Sequence, residues 1–375
     1  MKGSFAYSYH LIFFLEDLMK LHDNQLRLIR HLIRFNILDY SSCLEMLDTE
    51  NTADKVALSY AFRPLTKNGY ISKNKNGIVS VLKKGREIFP NERRLISDGG
   101  NAASKQRVLQ VSQMAALMEK NGVVITGELP NSQKPHFIPS ACWRNIAQGI
   151  LSTTRFTGML IAYDKKYAVY YIGDGKIEWQ LRAESSLFYT KYGSYETKAD
   201  GMILICDNGR REIIAENIIR QTMWSRRTLL NEHYTERNKP VSFSRSPIKI
   251  RTQYNHVYLI ERGNIKNGLK WIYKDEEIIN NTIDGRHTND AKFGDIEDWP
   301  VRYYINPAYD LLKLVYFFSA VKSHHAVEKN ALFPLPDVRY AIIMHKKDLP
   351  IINMYPDVKN SEKVNFYVFG FEEND

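Results

Sequence analysis

The densest chemistry in this 375-residue chain is electrostatic, and it is concentrated near the N-terminus. Between Asp54 and Arg94 stand Lys55, Arg63, Lys67, Lys73, Lys75, Lys83, Lys84, Arg86, Arg93 and Arg94, against only Asp54, Glu87 and Glu92. That surplus of seven positive charges is most of the formal +10 of the whole chain. Clustered cations attract phosphate and gain affinity by releasing counterions, so nucleic acid suits this region better than a small anion. A charge run can equally be a plain solvated face. What separates the two is the set of elements that would hold the charges.

Those elements are legible in outline. Asn24 to Phe35 places Leu26, Ile29, Leu32 and Ile33 at helical spacing with Arg27, Arg30 and Arg34 between them, and Asn36 closes the helix. A short second helix is capped by Ser41 or Ser42 and turns Leu44 and Leu47 inward. A third starts at Thr52 as N-cap and runs to about Asn68, with Val56, Ala57, Tyr60, Ala61 and Leu65 inward and Gly69 just past its end. Pro64 removes an amide donor inside that pattern, so a kink or restart is expected there. Tyr70 to Lys73 and Ile78 to Leu82 flank Asn74, Lys75, Asn76 and Gly77, where Asn-Gly marks a hairpin.

Three helices, a two-stranded hairpin and the step Leu82-Lys83-Lys84-Gly85 into a last helix resemble the winged helix-turn-helix domain of bacterial DNA-binding proteins. The resemblance implies double-stranded DNA as partner. It puts Lys55, Ser59, Arg63 and Lys67 on or near a helix lying in the major groove, and Lys73, Lys75 and Lys83 against the backbone from the wing. Winged helices also serve as protein docking modules. Lysines around the hairpin turn are not needed for that.

Other chemistries find less support. Gly173-Asp174-Gly175-Lys176 lacks the spacing of a phosphate loop and sits between strands, so it reads as a hairpin turn. The ten histidines give no metal-ligand spacing, and adjacent His324 and His325 point to different sides of a helix. There is no GxSxG elbow. Asp164-Lys165-Lys166, Asp174-Gly175-Lys176 and Glu196-Thr197-Lys198 each set an acid two residues before a lysine, the weak outline of a Mg²⁺ nuclease. Chance produces such triplets readily in a chain with 25% charged residues. Arg210, Arg211, Arg220, Arg226 and Arg227 form a second basic cluster, for which an exposed helix face is the simpler account. No metal or cofactor is expected.

The domain reading is a DNA-binding domain over 1–95, a linker over 96–103 within the Gly- and Asn-rich stretch Pro90 to Ala103, and a mixed α/β domain over 104–375, with a subdivision near Lys239. In the last, Gln106 to Asn121 reads as a helix ending at Gly122. Val123 to Thr126, Thr157 to Tyr163, Tyr167 to Ile172, Ile177 to Trp179, Met202 to Cys206, His256 to Ile260, Arg302 to Ile305, Val338 to Met344 and Val364 to Phe371 read as strands. Glu184 to Tyr192, Glu212 to Met223, Asn264 to Tyr273 and Tyr309 to Val321 read as helices. The fold class is α+β, a winged helix followed by a larger α/β region. Cys43, Cys142 and Cys206 are too scattered for a disulfide framework or zinc module. No apolar run nears the ~20 residues of a membrane span. No signal-peptide cleavage site follows Tyr9 to Leu15, so a cytoplasmic protein that does not engage membranes is expected.

The order of a winged helix, a linker, the helix Arg107-Val-Leu-Gln-Val-Ser-Gln113 to Asn121-Gly122 and an α/β domain of this size is similar to the replication-relaxation proteins of bacterial plasmids and conjugative elements. That resemblance implies a restriction-endonuclease-like second domain. It also implies a DNA-binding accessory role in replication, relaxation or transfer, as a homodimer or with replication or transfer proteins. The acidic and Glu-x-Lys elements of such nucleases are not clear here, so a non-catalytic binder is expected, with a targeted Mg²⁺ nuclease or a transcriptional regulator as alternatives.

Overall fold

The computed structural model describes residues 21–48, 54–97, 100–130, 134–147, 155–162, 165–172, 199–219, 256–270, 272, 296–298, 301–306, 310–330 and 339–369. The chain divides into two compact units, Met1–Asn145 and Ile146–Asp375. Both mix helices with strands, and no helix among the described residues is long and apolar enough to cross a membrane.

Among the described residues the first unit begins with α1 (Asp23–Phe35), β1 (Ile37–Asp39), α2 (Tyr40–Leu47) and α3 (Lys55–Lys67). The hairpin β2 (Ile71–Lys73) and β3 (Ile78–Val81) follows, then α4 (Lys83–Ile88), α5 (Ala102–Lys120), the parallel pair β4 (Val124–Ile125) and β5 (His136–Pro139), and α6 (Ser140–Ile146). The first three strands form an antiparallel sheet in the order β1-β3-β2, with Leu38 opposite Val79 and Ile71 opposite Val81. Leu28, Ile29 and Leu32 of α1 close a core with Leu38, Leu58, Phe62, Leu65 and Val79. Each such side chain contributes about 1.5–3 kcal/mol through burial, which fixes α3 on the three-helix cluster.

Local chemistry corrects several sequence expectations. Asp39, not a serine, caps α2, accepting from the Ser42 amide at 2.9 Å, and Asp54 caps α3 by accepting from the Ala57 amide at 2.6 Å. α3 runs through Pro64 without a break, and the carbonyl that loses its donor belongs to exposed Tyr60, where water can replace it. Gly69 and Gly77 adopt φ of 73° and 74°, as a helix terminus and a tight hairpin turn require. The largest difference is the stretch read as a linker. At the start of that stretch Ile96 is buried, the Leu95 amide donates to Arg34 O at 2.8 Å, and the Cys142 thiol donates to Leu95 O, whereas Ser97 and residues 100–103 are exposed. α5 belongs to the first unit. Buried His31 of α1 reaches Glu119 Oε2 at 3.0 Å and Ser112 Oγ at 3.2 Å, both on α5, and Val108, Val111, Met114, Ala115 and Met118 are buried.

The second unit contains β6 (Gly158–Ala162), β7 (Lys165–Ile172), β8 (Gly201–Cys206), α7 (211–219), β9 (His256–Glu261) and α8 (265–270). β10 (Ile296–Asp298), β11 (Val301–Asn306), α9 (Leu311–Asn330), β12 (Arg339–His345), α10 (Leu349–Asn353), α11 (Pro356–Lys359) and β13 (Val364–Phe369) are its further described elements. β6 and β7 are antiparallel, while β7-β8-β9 run parallel. β10 and β11 repeat that opening and β11-β12-β13 repeat the parallel run, so each sheet is mixed. The continuous apolar strands Met202–Ile205 and Val257–Ile260 fit sheets covered on both faces. The strand–helix repeat expected around Met202 to Met223 is present as β8-α7-β9. The segments Ile177 to Trp179, Glu184 to Tyr192 and the split near Lys239 lie outside the described residues.

Candidate nucleic-acid interface

α3 carries the decisive geometry. Leu58, Phe62 and Leu65 face the core, and the opposite stripe is Val56, Tyr60, Arg63 and Lys67, spaced i, i+4, i+7 and i+11. Val56 and Tyr60 are 62% and 60% exposed, which reverses the expectation that both point inward. Periodicity could not choose, because 56/60 and 58/62 are both i, i+4 pairs. The Arg63 guanidinium lies over the Tyr60 ring at 4.7 Å, so the aromatic side chain orients the charge beside it. Lys55 is exposed at the start of the helix.

Two contacts join α3 to its surroundings. Buried Gln25 of α1 donates from Nε2 to Ala61 O at 2.7 Å. Tyr40, the first residue of α2, donates from its hydroxyl to Ser59 Oγ at 3.4 Å, and the Lys73 ammonium sits 3.8 Å from the centre of the Tyr40 ring. Tyr40 thus bridges α3 and the hairpin. Ser59 is half-buried in that seam. The turn beyond β2 is built by Asn74, whose Oδ1 accepts from the amides of Asn76 and Ile78, both at 2.9 Å, leaving Lys75 exposed at the tip. The Tyr40 amide donates to Gly77 O at 2.9 Å and ties the tip back to α2. Lys83 is exposed at the start of α4. Gly85 lets that helix approach, since a Cβ there would lie 2.4 Å from Tyr70 O.

Some of the cations of the unit already have side-chain partners. Arg30 and Arg34 both pair with Glu92, at 3.3 and 2.7 Å. Arg86 and Arg94 donate to the Asn36 side chain. Lys55, Arg63, Lys67, Lys73, Lys75 and Lys83 have no carboxylate partner among the described residues. Six of the seven residues singled out from the sequence therefore offer uncompensated positive charge from α3, the hairpin and α4.

The second unit holds a polar network of a different kind. Arg211 is buried, donates from Nε to Leu259 O at 3.1 Å and from Nη1 to Lys347 O at 2.9 Å, and pairs with buried Asp348. It is thus not part of an exposed basic face, and Arg220, Arg226 and Arg227 lie outside the described residues. Burial pushes the Asp348 carboxyl up against the opposing pull of Arg211. Asp310 accepts from the amides of Val257 and Leu312 and meets His256 Nδ1 at 2.9 Å, linking β9 to α9. Burial, with Lys347 and Arg211 nearby, lowers His345 to about 4. Tyr171 is pushed up to about 12 by burial and by donating to Asp207 at 2.6 Å. His325 meets Ser361 Oγ at 3.0 Å while the His324 ring lies edge-on to Tyr340, so the adjacent histidines do diverge. The bonds made by Arg211, Asp310, Tyr171 and His325 lie within the fold and read as scaffold. Among the described residues no group of three or more His, Cys, Asp or Glu side chains could hold a metal, and Asp164, Asp174 and Glu196 of the acid–lysine triplets lie outside them.

Comparison of the chain with family models, curated proteins and solved structures finds no match. The sequence reading missed Val56 and Tyr60 as surface residues and Tyr40 as the bridge. A signal for the first was present, since placing Leu58 and Phe62 inward buries more apolar surface and leaves the cations on one stripe.

Proposed function

We propose that the N-terminal unit is a winged helix-turn-helix that binds double-stranded DNA, with α3 in the major groove and the β2–β3 hairpin against the phosphate backbone. The observation that carries this reading is the outward stripe of α3 with Arg63 over Tyr60, beside a hairpin whose Lys73 meets Tyr40, itself bonded to Ser59 of α3. Six cations without carboxylate partners fit a polyanion better than the largely apolar face of a docking helix. The similarity in order and length to replication-relaxation proteins extends the proposal to an accessory, non-catalytic role on a plasmid or conjugative element. The second unit would then serve assembly with a second copy or with replication or transfer proteins.

The test is fluorescence anisotropy of labelled duplex titrated with the full chain at about 50 mM salt, with and without Mg²⁺. Wild type binds and leaves the duplex intact, while Arg63→Ala with Lys67→Ala weakens binding at least about tenfold without changing the circular dichroism. A wild type that does not bind, or a double variant that binds equally well, refutes the reading. Mg²⁺-dependent cleavage would move the function to a targeted nuclease.

A further inference from the structure

The exposed stripe of α3 is not uniformly basic. Its C-terminal half carries Arg63 and Lys67, whereas its N-terminal half presents Val56 and Tyr60, 62% and 60% exposed, on the same line. An apolar pair held in water on a helix whose other exposed side chains are charged or small gains nothing for the fold, because Leu58, Phe62 and Leu65 already fill the core side. In helix-turn-helix docking the N-terminal residues of the inserted helix reach base edges, and later residues approach the backbone. The one apolar group that a base pair displays in the major groove is the C5-methyl of thymine.

We infer that Val56 and Tyr60 determine specificity by packing against thymine methyl groups, while Arg63, held over the Tyr60 ring, meets a guanine edge or an adjacent phosphate. This rests on the DNA-binding reading above. The occupant follows from charge: Lys55 precedes the apolar pair on α3, Arg63 lies over Tyr60 and Lys67 continues the same stripe, which favours a polyanion displaying methyl groups over an apolar protein surface.

The experiment selects preferred duplexes from a randomised pool with the full chain, then replaces each thymine in turn by deoxyuridine, which removes only the methyl group. Wild type should lose about fourfold in affinity at one or more positions, the worth of one buried methyl. Val56→Ala should bind the thymine and uracil duplexes equally at one of those positions. Tyr60→Ala should abolish the discrimination at a neighbouring one. Both residues are exposed, so the variants keep the fold, which thermal unfolding monitors. Uracil duplexes that bind as tightly as thymine duplexes at every position overturn this inference and leave DNA binding standing, as does a Val56→Ala protein with unchanged discrimination. Failure of wild type to retain any duplex from the pool at low salt overturns the inference together with the reading beneath it.

Discussion

Asp39 is the smallest change that would loosen the platform under α3. Its carboxylate caps α2 through the Ser42 amide at 2.9 Å, accepts from the Ser41 hydroxyl, and accepts from Gln113 Nε2 on α5 at 2.7 Å. Asp39→Ala removes a helix cap, worth about 1 kcal/mol, and a hydrogen bond from a neutral donor to a charge, worth about 1.5 kcal/mol at this half-buried position. A loss of about 2–3 kcal/mol follows. Asp39→Asn keeps the cap with its one oxygen and, once the Gln113 amide turns over to accept from the new NH2, keeps a neutral bond to that side chain, so it should cost under about 1 kcal/mol. Burial raises the carboxyl, but the bonds from Ser41, Ser42 and Gln113 outweigh it and hold the group below its usual value. The wild-type contribution is therefore complete above about pH 3.9 and is lost as pH falls through the depressed value. Urea unfolding followed by circular dichroism, at pH 7 and at stepped acid pH, measures all three proteins. Asp39→Ala within about 0.5 kcal/mol of wild type, or Asp39→Asn as damaging as Asp39→Ala, would show that the Asp39 carboxylate does not hold α2 and α5 together.

Other outcomes follow from the same structure. Arg211→Ala strands the Asp348 carboxyl in the interior and should cost about 3–5 kcal/mol, whereas Arg211→Met with Asp348→Leu recovers most of that loss; denaturant unfolding separates them. His345 takes up its proton near 6.5 when unfolded but only near 4 when folded, so stability is complete above the first value and falls as pH drops between them. The loss should be on the order of 1–3 kcal/mol and be absent in His345→Gln, as unfolding curves at pH 7 and pH 4.5 would show. Burial pushes the Cys43 thiol well up, Cys142 to about 11 and Cys206 to about 12. All three should resist iodoacetamide at pH 8 until denaturant is added, which mass spectrometry reads directly. A fragment ending at residue 95 loses the α5 partners of His31 and should fail to unfold cooperatively, while one ending at 145 should do so.

The sequence carried the helices and the hairpin of the first unit because their signals are local. α1 shows a clear amphipathic period, and Gly69 and Gly77 mark a helix end and a turn with left-handed backbone. β1 escaped notice because three residues, Ile37–Asp39, have no period to read. Apolar type alone points Val56 and Tyr60 of α3 inward, and their i, i+4 spacing is the same as that of Leu58 and Phe62, which the fold buries instead. Gly and Asn content after residue 95 reports turns and carries no sign that α5 beyond them meets His31 of α1. Only the fold brings His31 to Ser112 and Glu119, and Arg211 to Asp348 across 137 positions of sequence. Long-range polar pairs of that kind leave no local pattern.

Engagement of DNA phosphates and bases by the six cations on α3, the hairpin and α4 is read from the salt dependence of binding. If all six engage the polyanion, log K against log salt concentration should fall with a slope of about −5, and Lys67→Ala or Lys73→Ala should each make it shallower by about 0.9. A wild-type slope near zero, or slopes unchanged in both variants, would contradict the account.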